Sequence, residues 1–130
     1  MNTKSFIIGG LVGGLVDWLL GWLFYGILFA DKFPQPEEDS NAMLFITFGC
    51  FAFGFFISYI YNRWAQISTF GTGLKAGAVI GLFFALTSNA FRMAQETVPD
   101  YEMAGIDIAI GIIMTAIVGG VIGAVSGKVK

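Results

Sequence analysis

Four long apolar runs occupy most of this chain, and they limit what it can fold into. The runs cover residues 6–30, 43–61, 69–91 and 108–127, and their charged side chains are Asp17 and Lys75. A helix of about 20 apolar residues spans the hydrocarbon core of a bilayer, which is ~30 Å thick. The sequence therefore predicts an all-α integral membrane bundle of four transmembrane helices, at approximately residues 5–29, 42–62, 70–93 and 105–127.

The composition agrees with a membrane protein. Charged residues make up 12% of the chain, whereas a soluble domain carries about 25%. With 130 residues, the chain has room for a single four-helix transmembrane domain over residues 1–130. The first run is longer than the ~7–15-residue apolar core of a signal peptide, so we expect it to be a retained span.

Charges outside the runs predict the orientation. One side of the predicted bundle carries five basic residues, namely Lys4, Arg63, Lys75, Lys128 and Lys130. The other side carries two basic and eight acidic residues, namely Lys32, Arg92, Asp31, Glu37, Glu38, Asp39, Glu96, Asp100, Glu102 and Asp107. Because basic residues in short loops remain in the cytoplasm, we expect both termini to lie there. Tyr59, Tyr61 and Trp64 are then expected in the inner aromatic belt, and Tyr101 in the outer one.

Small or polar residues recur every four positions on each predicted helix, which keeps them on one helix face. The clearest glycines of these stripes are Gly9, Gly10, Gly13, Gly14, Gly73, Gly77, Gly81, Gly119 and Gly123. In lipid, helices associate through close approach at small residues rather than through apolar burial. The glycines are therefore expected to serve helix packing, either inside one monomer or against a partner. The double glycines of the first helix make its smooth face wider than one neighbour needs, which motivates the hypothesis of a dimer contact at Gly10 and Gly14.

Asp17 is the most informative single residue, because it lies near the middle of the first run. An ionisable side chain at that depth costs roughly 2.5–3.5 kcal/mol on insertion scales and is a functional candidate. Two interpretations stay open. Asp17 could be a structural hydrogen-bonding group that ties the first helix to Thr87, Ser88 or Asn89, or it could take part in permeation or proton handling.

Arg92 and Asp107 lie near the predicted outer ends of the third and fourth helices. Antiparallel neighbours would bring them to a similar depth, where they could form a structural clamp or, alternatively, a site for a ligand carboxylate at Arg92. Together with Asn89 and the deeper Asp17, they predict a shallow polar pocket that faces outward.

Several functional classes lack support in the sequence. There is no histidine and a single cysteine, Cys50, so we expect no internal disulfide, no metal site and no cofactor. The seven basic residues are scattered, which argues against nucleic-acid binding. The run Glu37-Glu38-Asp39 could attract a calcium ion, but it lacks EF-hand spacing, and a solvated loop is the preferred interpretation. Without a nucleophile–base pair or a phosphate loop, we expect no enzymatic activity.

The segment Gly21-Trp22-Leu23-Phe24-Tyr25, followed by Leu28, Phe29 and Lys32, resembles a family of small four-span bacterial proteins, domain-of-unknown-function family 1761. The glycine-rich third helix with Asn89 near its outer end adds to the resemblance, whereas Asp17 is not part of that pattern. The resemblance implies a multi-pass protein of the bacterial inner membrane and supplies no activity.

Two functional hypotheses follow. The first is a small transport protein through which a proton or small solute passes Asp17, Asn89, Arg92 and Asp107. The alternative is an accessory or assembly subunit that docks partner transmembrane helices through its glycine stripes. In either case the expected partners are the lipid bilayer and either further copies of the chain or other membrane subunits.

Overall fold

The described part of the chain forms four helices, each long and apolar enough to cross a membrane. A computed structural model describes residues 3–28, 42–95, 97–98 and 101–129. Over these residues the secondary structure is helical, without strands. The helices are α1 (Thr3–Leu23, continued by a π-helical segment at Phe24–Leu28), α2 (Ala42–Arg63), α3 (Phe70–Gln95) and α4 (Tyr101–Val129). The predicted all-α fold with four helices of membrane-spanning length is confirmed.

Most helix ends lie within two residues of the predicted spans, and two places differ more. The first span was predicted as one helix to residue 29, but the helix widens to a π turn at Phe24–Leu28. The fourth span was predicted to begin at residue 105, but α4 begins at Tyr101. Its extra turn contains Glu102, and an acidic side chain is favourable at the positive end of a helix dipole.

The connection between α2 and α3 is short and well defined by hydrogen bonds. The backbone amides of Trp64 and Ala65 both donate to the carbonyl oxygen of Ile60, at 3.0 and 2.9 Å. Gln66 then adopts a left-handed conformation with a φ of 55°, which ends a helix in the usual way. Such a short connection forces α2 and α3 to run in opposite directions.

The helices pack as a chain of neighbours in which α1 and α4 are central. The closest pairs are α3 with α4 and α1 with α2, followed by α1 with α4. Sequential helices are antiparallel, so Ser5 of α1, Asn62 of α2 and Ser126 of α4 meet at one end of the bundle. We call this the terminal end, because the beginning of α1 and the end of α4 lie there. The opposite end, which contains Tyr25, Asn89 and Asp107, is the distal end.

Glycines allow α3 and α4 to approach until their backbones touch. A Cβ atom added at Gly73, Gly77 or Gly81 would strike a backbone carbonyl oxygen of α4. The reverse contact is equally tight, since a Cβ atom at Gly119 would lie 2.6 Å from the carbonyl oxygen of Gly73. Contact at this distance suits helices in lipid, where dispersion and backbone contacts replace the hydrophobic effect.

The double glycines of α1 serve two neighbours within the same chain. Gly13 faces Ile122 of α4, and Gly10 and Gly14 face the rings of Phe55 and Phe51 of α2. Gly9 lies between the two neighbours, against Ser58 of α2 and Ile122 of α4. The hypothesis of a dimer contact at Gly10 and Gly14 is therefore corrected, because α2 already covers both residues. The wide face that motivated it results from α1 lying between α2 and α4.

All nine glycines that were expected to serve helix packing are buried inside the chain, namely Gly9, Gly10, Gly13, Gly14, Gly73, Gly77, Gly81, Gly119 and Gly123. None of them is left on an outer face of the bundle.

The terminal end holds the buried core. Its apolar part consists of Ile57, Ile67, Val118 and Ile122, together with Tyr61. Tyr61 was expected in the aromatic belt, and that expectation is wrong: its side chain is fully buried and its hydroxyl donates to the carbonyl oxygen of Gly73 at 2.7 Å. A Cβ atom added at Gly119 of α4 would strike the Tyr61 hydroxyl, so this glycine leaves the space that the phenol needs, and the hydrogen bond to Gly73 ties α2 to α3.

The outer surface of the bundle is rich in large apolar side chains. Phe45 and Phe48 of α2 are 69% and 73% exposed, and Phe83 and Phe91 of α3 are exposed to a similar degree. An exposed apolar surface of this extent is unfavourable in water and suits a lipid environment. The four helices together indicate a multi-pass integral membrane protein.

Candidate functional site

A hydrogen-bonded polar network joins three helices at the distal end. The hydroxyl of Tyr25 donates to one carboxylate oxygen of Asp107. The side-chain amide of Asn89 donates to the other oxygen at 2.7 Å, and also to the carbonyl oxygen of Ala85 at 2.8 Å. Arg92 donates to the side-chain oxygen of Asn89 at 2.5 Å. The network thus ties the end of α1 and the end of α3 to the beginning of α4.

The π turn contributes to this network. A π turn inserts an extra residue into a helix and changes the direction in which the following side chains point, and such turns are frequent at functional sites. Tyr25 lies inside the π segment Phe24–Leu28, and its hydroxyl meets Asp107 across the interface between α1 and α4.

Next to the network is a cavity of about 390 Å³ that all four helices line. It lies where α2 and α3 diverge, and the rings of Phe53 and Phe84 meet across this gap with their centroids 5.4 Å apart. Its lining is largely apolar with a few polar side chains, and comprises Asp17, Tyr25, Ile46, Gly49, Cys50, Phe53, Phe84, Ala85, Ser88, Asp107, Gly111, Met114 and Thr115. A volume of ~300–1,000 Å³ is typical of pockets that hold small molecules.

Asp17 is placed on the wall of this cavity and partly buried. The Cys50 thiol on α2 lies close to its carboxylate on the same cavity wall. The sequence suggested Thr87, Ser88 or Asn89 of α3 as partners instead. Ser88 lines the same cavity as Asp17, whereas the other two bond elsewhere. Thr87 donates to the carbonyl oxygen of Phe83 in its own helix, and Asn89 donates to Asp107.

The four polar residues predicted from the sequence lie in one region of the bundle, but only two of them line the cavity. Asp17 and Asp107 both line the cavity. Asn89 donates a hydrogen bond to Asp107, and Arg92 donates one to Asn89. Arg92 and Asp107 were expected to pair, and the structure connects them through Asn89. The acidic run at residues 37–39 and the acidic residues Glu96 and Asp100 lie outside the described residues.

The acidic side chains of the cavity wall are its charged groups among the described residues. Its lining includes the carboxylates of Asp17 and Asp107, and none of the lysines and arginines that the structure describes belongs to it. Within the described part of the chain, no group of three Cys, Asp or Glu side chains is arranged to hold a metal ion. The cavity therefore offers acceptors and negative charge to a ligand, set in apolar surroundings.

The cavity does not continue through the bundle. Toward the terminal end it reaches Met114 and Thr115, and the next inward-facing residues of α4 are Val118 and Ile122, which are completely buried. Beyond the apolar core, α1, α2 and α4 are joined by a second polar cluster. The structure thus contains a pocket with a closed base rather than a continuous pore.

The second cluster consists of buried side chains that satisfy one another. Ser5 donates to the side-chain oxygen of Asn62 at 2.7 Å, and the amide of Asn62 donates to the carbonyl oxygen of Ser58 at 2.8 Å. Ser126 accepts from the same amide at 3.3 Å, and Ser58 donates to the carbonyl oxygen of Phe6 at 2.8 Å. Its role is structural, because every bond is made inside the protein.

Sequence reasoning missed Tyr25 as a site residue. The series Gly9, Gly13, Asp17 and Gly21 has a constant step of four residues, and the next position is Tyr25. Extending the stripe by one step would have placed the phenol on the face of Asp17. The proximity of Cys50 to Asp17 depends on the register of α1 against α2, which the sequence leaves open.

No family model, no curated protein and no solved structure matches this chain.

Proposed function

We propose that this chain is a small transport protein of the membrane, and that its solute or proton is held at Asp17 in the distal cavity. The observation that carries the proposal is the position of two carboxylates, Asp17 and Asp107, on the wall of one cavity of about 390 Å³ inside an otherwise apolar bundle. A carboxylate at mid-depth in lipid is costly. A fold that needed only stability would be served by an apolar residue at position 17.

The closed base of the cavity suits a transporter that exposes its site to one side at a time. Binding sites of secondary transporters lie near the middle of the membrane and open alternately to its two faces. Here the distal half contains the site, and the terminal half is packed by Ile57, Tyr61, Val118 and Ile122. Opening of the site toward the terminal end would require these packed side chains to separate.

The proposed setting is the cytoplasmic membrane of a bacterium, with both termini in the cytoplasm. The five basic residues of the terminal side support this orientation. The distal cavity then faces the periplasm or the outer leaflet of the bilayer. Trp64 and Tyr59, whose rings stack edge to face at 5.4 Å, would lie at the cytoplasmic interface.

The alternative proposal is an accessory or assembly subunit. It requires docking surfaces other than the glycine stripes that the sequence suggested. The nine packing glycines are covered by helices of the same chain. Partner helices would therefore dock on the exposed aromatic faces of α2 and α3, for example at Phe48 and Phe83.

Flux measurements in liposomes test the transport proposal. The purified protein is reconstituted, and the passage of protons, of an organic cation, of an organic anion and of a neutral solute is measured against protein-free liposomes. We expect at least one flux to rise above the background and to fall about tenfold or more in Asp17→Asn, because the amide keeps the size of the side chain but has neither a charge nor an exchangeable acidic proton.

Glu102→Gln is the matched control for that experiment. Glu102 is an exposed carboxylate at the distal end of α4 and does not line the cavity, so its neutralisation should leave the flux within about twofold of the wild type. Equal flux in wild-type and Asp17→Asn liposomes, or no flux above protein-free liposomes for any of the four probes, would reject transport past Asp17.

A further inference from the structure

We propose that the ligand of the distal cavity is a monovalent organic cation with an apolar body, such as a substituted ammonium ion, whose charge pairs with Asp17 and whose body lies against Phe53 and Phe84. This inference rests on the proposed function and names its substrate class. Three features of the cavity support it: the charge of the wall, the hydrogen-bonding capacity that the carboxylates leave free, and the apolar walls and size of the space.

The charge of the wall selects against anions. Asp17 and Asp107 both line the cavity, and among the residues that the structure describes its lining contains no basic side chain. Arg92 is the nearby cation, and its guanidinium is directed to the side-chain oxygen of Asn89, behind Asp107. An anion in this apolar space would have no counter-charge on the wall and would face two carboxylates, which is strongly unfavourable at low dielectric.

The two carboxylates differ in the bonds that they already accept. Asp107 accepts from the Tyr25 hydroxyl on one oxygen and from the Asn89 amide on the other. Asp17 is in contact with the Cys50 thiol, and a thiol is a weak donor. A carboxylate has about four acceptor positions, so Asp17 keeps the capacity to pair with a ligand, whereas Asp107 is already held by the protein.

The walls of the cavity fit an apolar body better than a hydrated metal ion. Phe53 and Phe84 meet at the gap between α2 and α3, and Ile46 and Met114 line the space beside them. The face of an aromatic ring attracts a cation within about 6 Å. A small inorganic ion would need about six oxygen ligands in place of its water shell, and these walls are mostly hydrocarbon.

The size of the cavity also favours an organic ligand. A volume of about 390 Å³ is far larger than one water molecule needs, which is ≈ 30 Å³ in the liquid. A space of this size exceeds what a relay for protons alone requires. It accommodates a charged nitrogen with several carbon substituents or one aromatic ring.

Binding to the purified protein tests the inference, and three probes of similar size make the comparison. Calorimetric titrations in a neutral maltoside detergent use phenyltrimethylammonium, its uncharged analogue tert-butylbenzene, and the anion benzenesulfonate. We expect the cation to bind at least about tenfold more tightly than either of the other two. Equal affinity for the cation and the neutral analogue, or tighter binding of the anion, overturns the inference without any variant.

Three variants then test whether the carboxylate of Asp17 pairs with the bound cation. Asp17→Asn should weaken cation binding about tenfold or more, Asp17→Glu should keep the preference for the cation, and Glu102→Gln should bind as the wild type does. Wild-type affinity in Asp17→Asn would show that the cation binds elsewhere. The elution volume of each variant in size-exclusion chromatography shows that it is folded, and Asp17→Glu keeps the test valid if the amide variant is unstable.

Failure of the inference and failure of the proposed function give different results. If cations bind at Asp17 but no solute crosses the liposome membrane, the ligand class stands and transport is rejected. If an anion or a neutral solute crosses in a manner that depends on Asp17 while the cation does not bind, transport stands and the ligand class is rejected.

Discussion

Asn62 and Asp17 are both polar side chains inside the bundle, and their surroundings differ. Asn62 is 2% exposed and bonds to Ser5, Ser58 and Ser126, so that three helices share one amide group. Asp17 lies on a cavity wall beside a weak donor, the Cys50 thiol. Buried polar groups in a stable core are expected to be hydrogen-bonded. The first residue therefore stabilises the fold, and the second is available to a ligand.

Replacing Asn62 by leucine should destabilise the protein. The apolar side chain has a similar volume but leaves the hydroxyls of Ser5, Ser58 and Ser126 without the partner that links them, and an unsatisfied buried polar group costs about 1–3 kcal/mol. The measurement is the midpoint of thermal unfolding in one detergent. Thr87→Val is the control, because Thr87 is exposed and bonds only within its own turn; its midpoint should stay near that of the wild type. An Asn62→Leu protein as stable as this control would contradict the structural role of the cluster.

The sequence identified Asp17, Asn89, Arg92 and Asp107 because charged and amide groups are conspicuous in apolar runs. It did not identify Ser5 or Ser126, since serine is common in membrane helices and its burial depends on what lies opposite. Both of these side chains have no exposed surface in the folded bundle. Partners on another helix, such as Cys50 for Asp17, depend on the register between helices, which no residue spacing within one helix can determine.

At the scale of the helices, glycine decides how near two neighbours can come. The contact between α3 and α4 places Gly77 against the carbonyl oxygen of Thr115 and Gly81 against that of Gly111. These are backbone atoms, which cannot rotate away as a side chain can. By contrast, nothing lies within 4 Å of a Cβ atom added at Gly105 of α4.

A single methyl group therefore tests the packing of α3 on α4. Gly77→Ala should destabilise the protein by about 1–3 kcal/mol, because the helices have to separate to admit the Cβ atom. Gly105→Ala adds the same methyl group to a helix with open space and should be neutral or stabilising by up to about 1 kcal/mol, as alanine is the better helix former. Thermal unfolding of the two variants in the same detergent gives the comparison, and equal midpoints would contradict the close contact at Gly77.

Most of the secondary structure could be predicted from the apolar runs, because helices of this length are the only elements that satisfy their own backbone in lipid. The predicted starts of α2 and α3, residues 42 and 70, agree with the structure. The π turn at Phe24–Leu28 could not be predicted, since Tyr25 of this turn finds its partner on α4. The assignment of Gly10 and Gly14 to a dimer also failed for a tertiary reason, the central position of α1 between two helices.

At the scale of the whole molecule, the bundle is divided into two halves of different character. The terminal half is packed by large apolar side chains and by a polar cluster whose bonds are all internal. The distal half holds the cavity, the Tyr25–Asp107–Asn89–Arg92 network and the gap between α2 and α3. The account of function depends on this division, because a ligand has to reach Asp17 from the distal side.

Cys50 is the single cysteine of the chain and lines the cavity beside Asp17, so its reaction with membrane-impermeant thiol reagents reports directly on access to the site. A thiosulfonate reagent forms a disulfide with the thiol and releases a sulfinate. We measure the rate for a cationic and an anionic thiosulfonate added to either side of sealed vesicles, with Cys50→Ser as the unlabelled control.

The account predicts that Cys50 reacts from the distal side, that the cationic reagent reacts about tenfold or more faster than the anionic one, and that Asp17→Asn removes most of this difference. Labelling of Cys50 only after denaturation in a strong detergent, or equal rates for the two reagents in the wild type, would contradict a solvent-accessible, cation-selective site at Asp17.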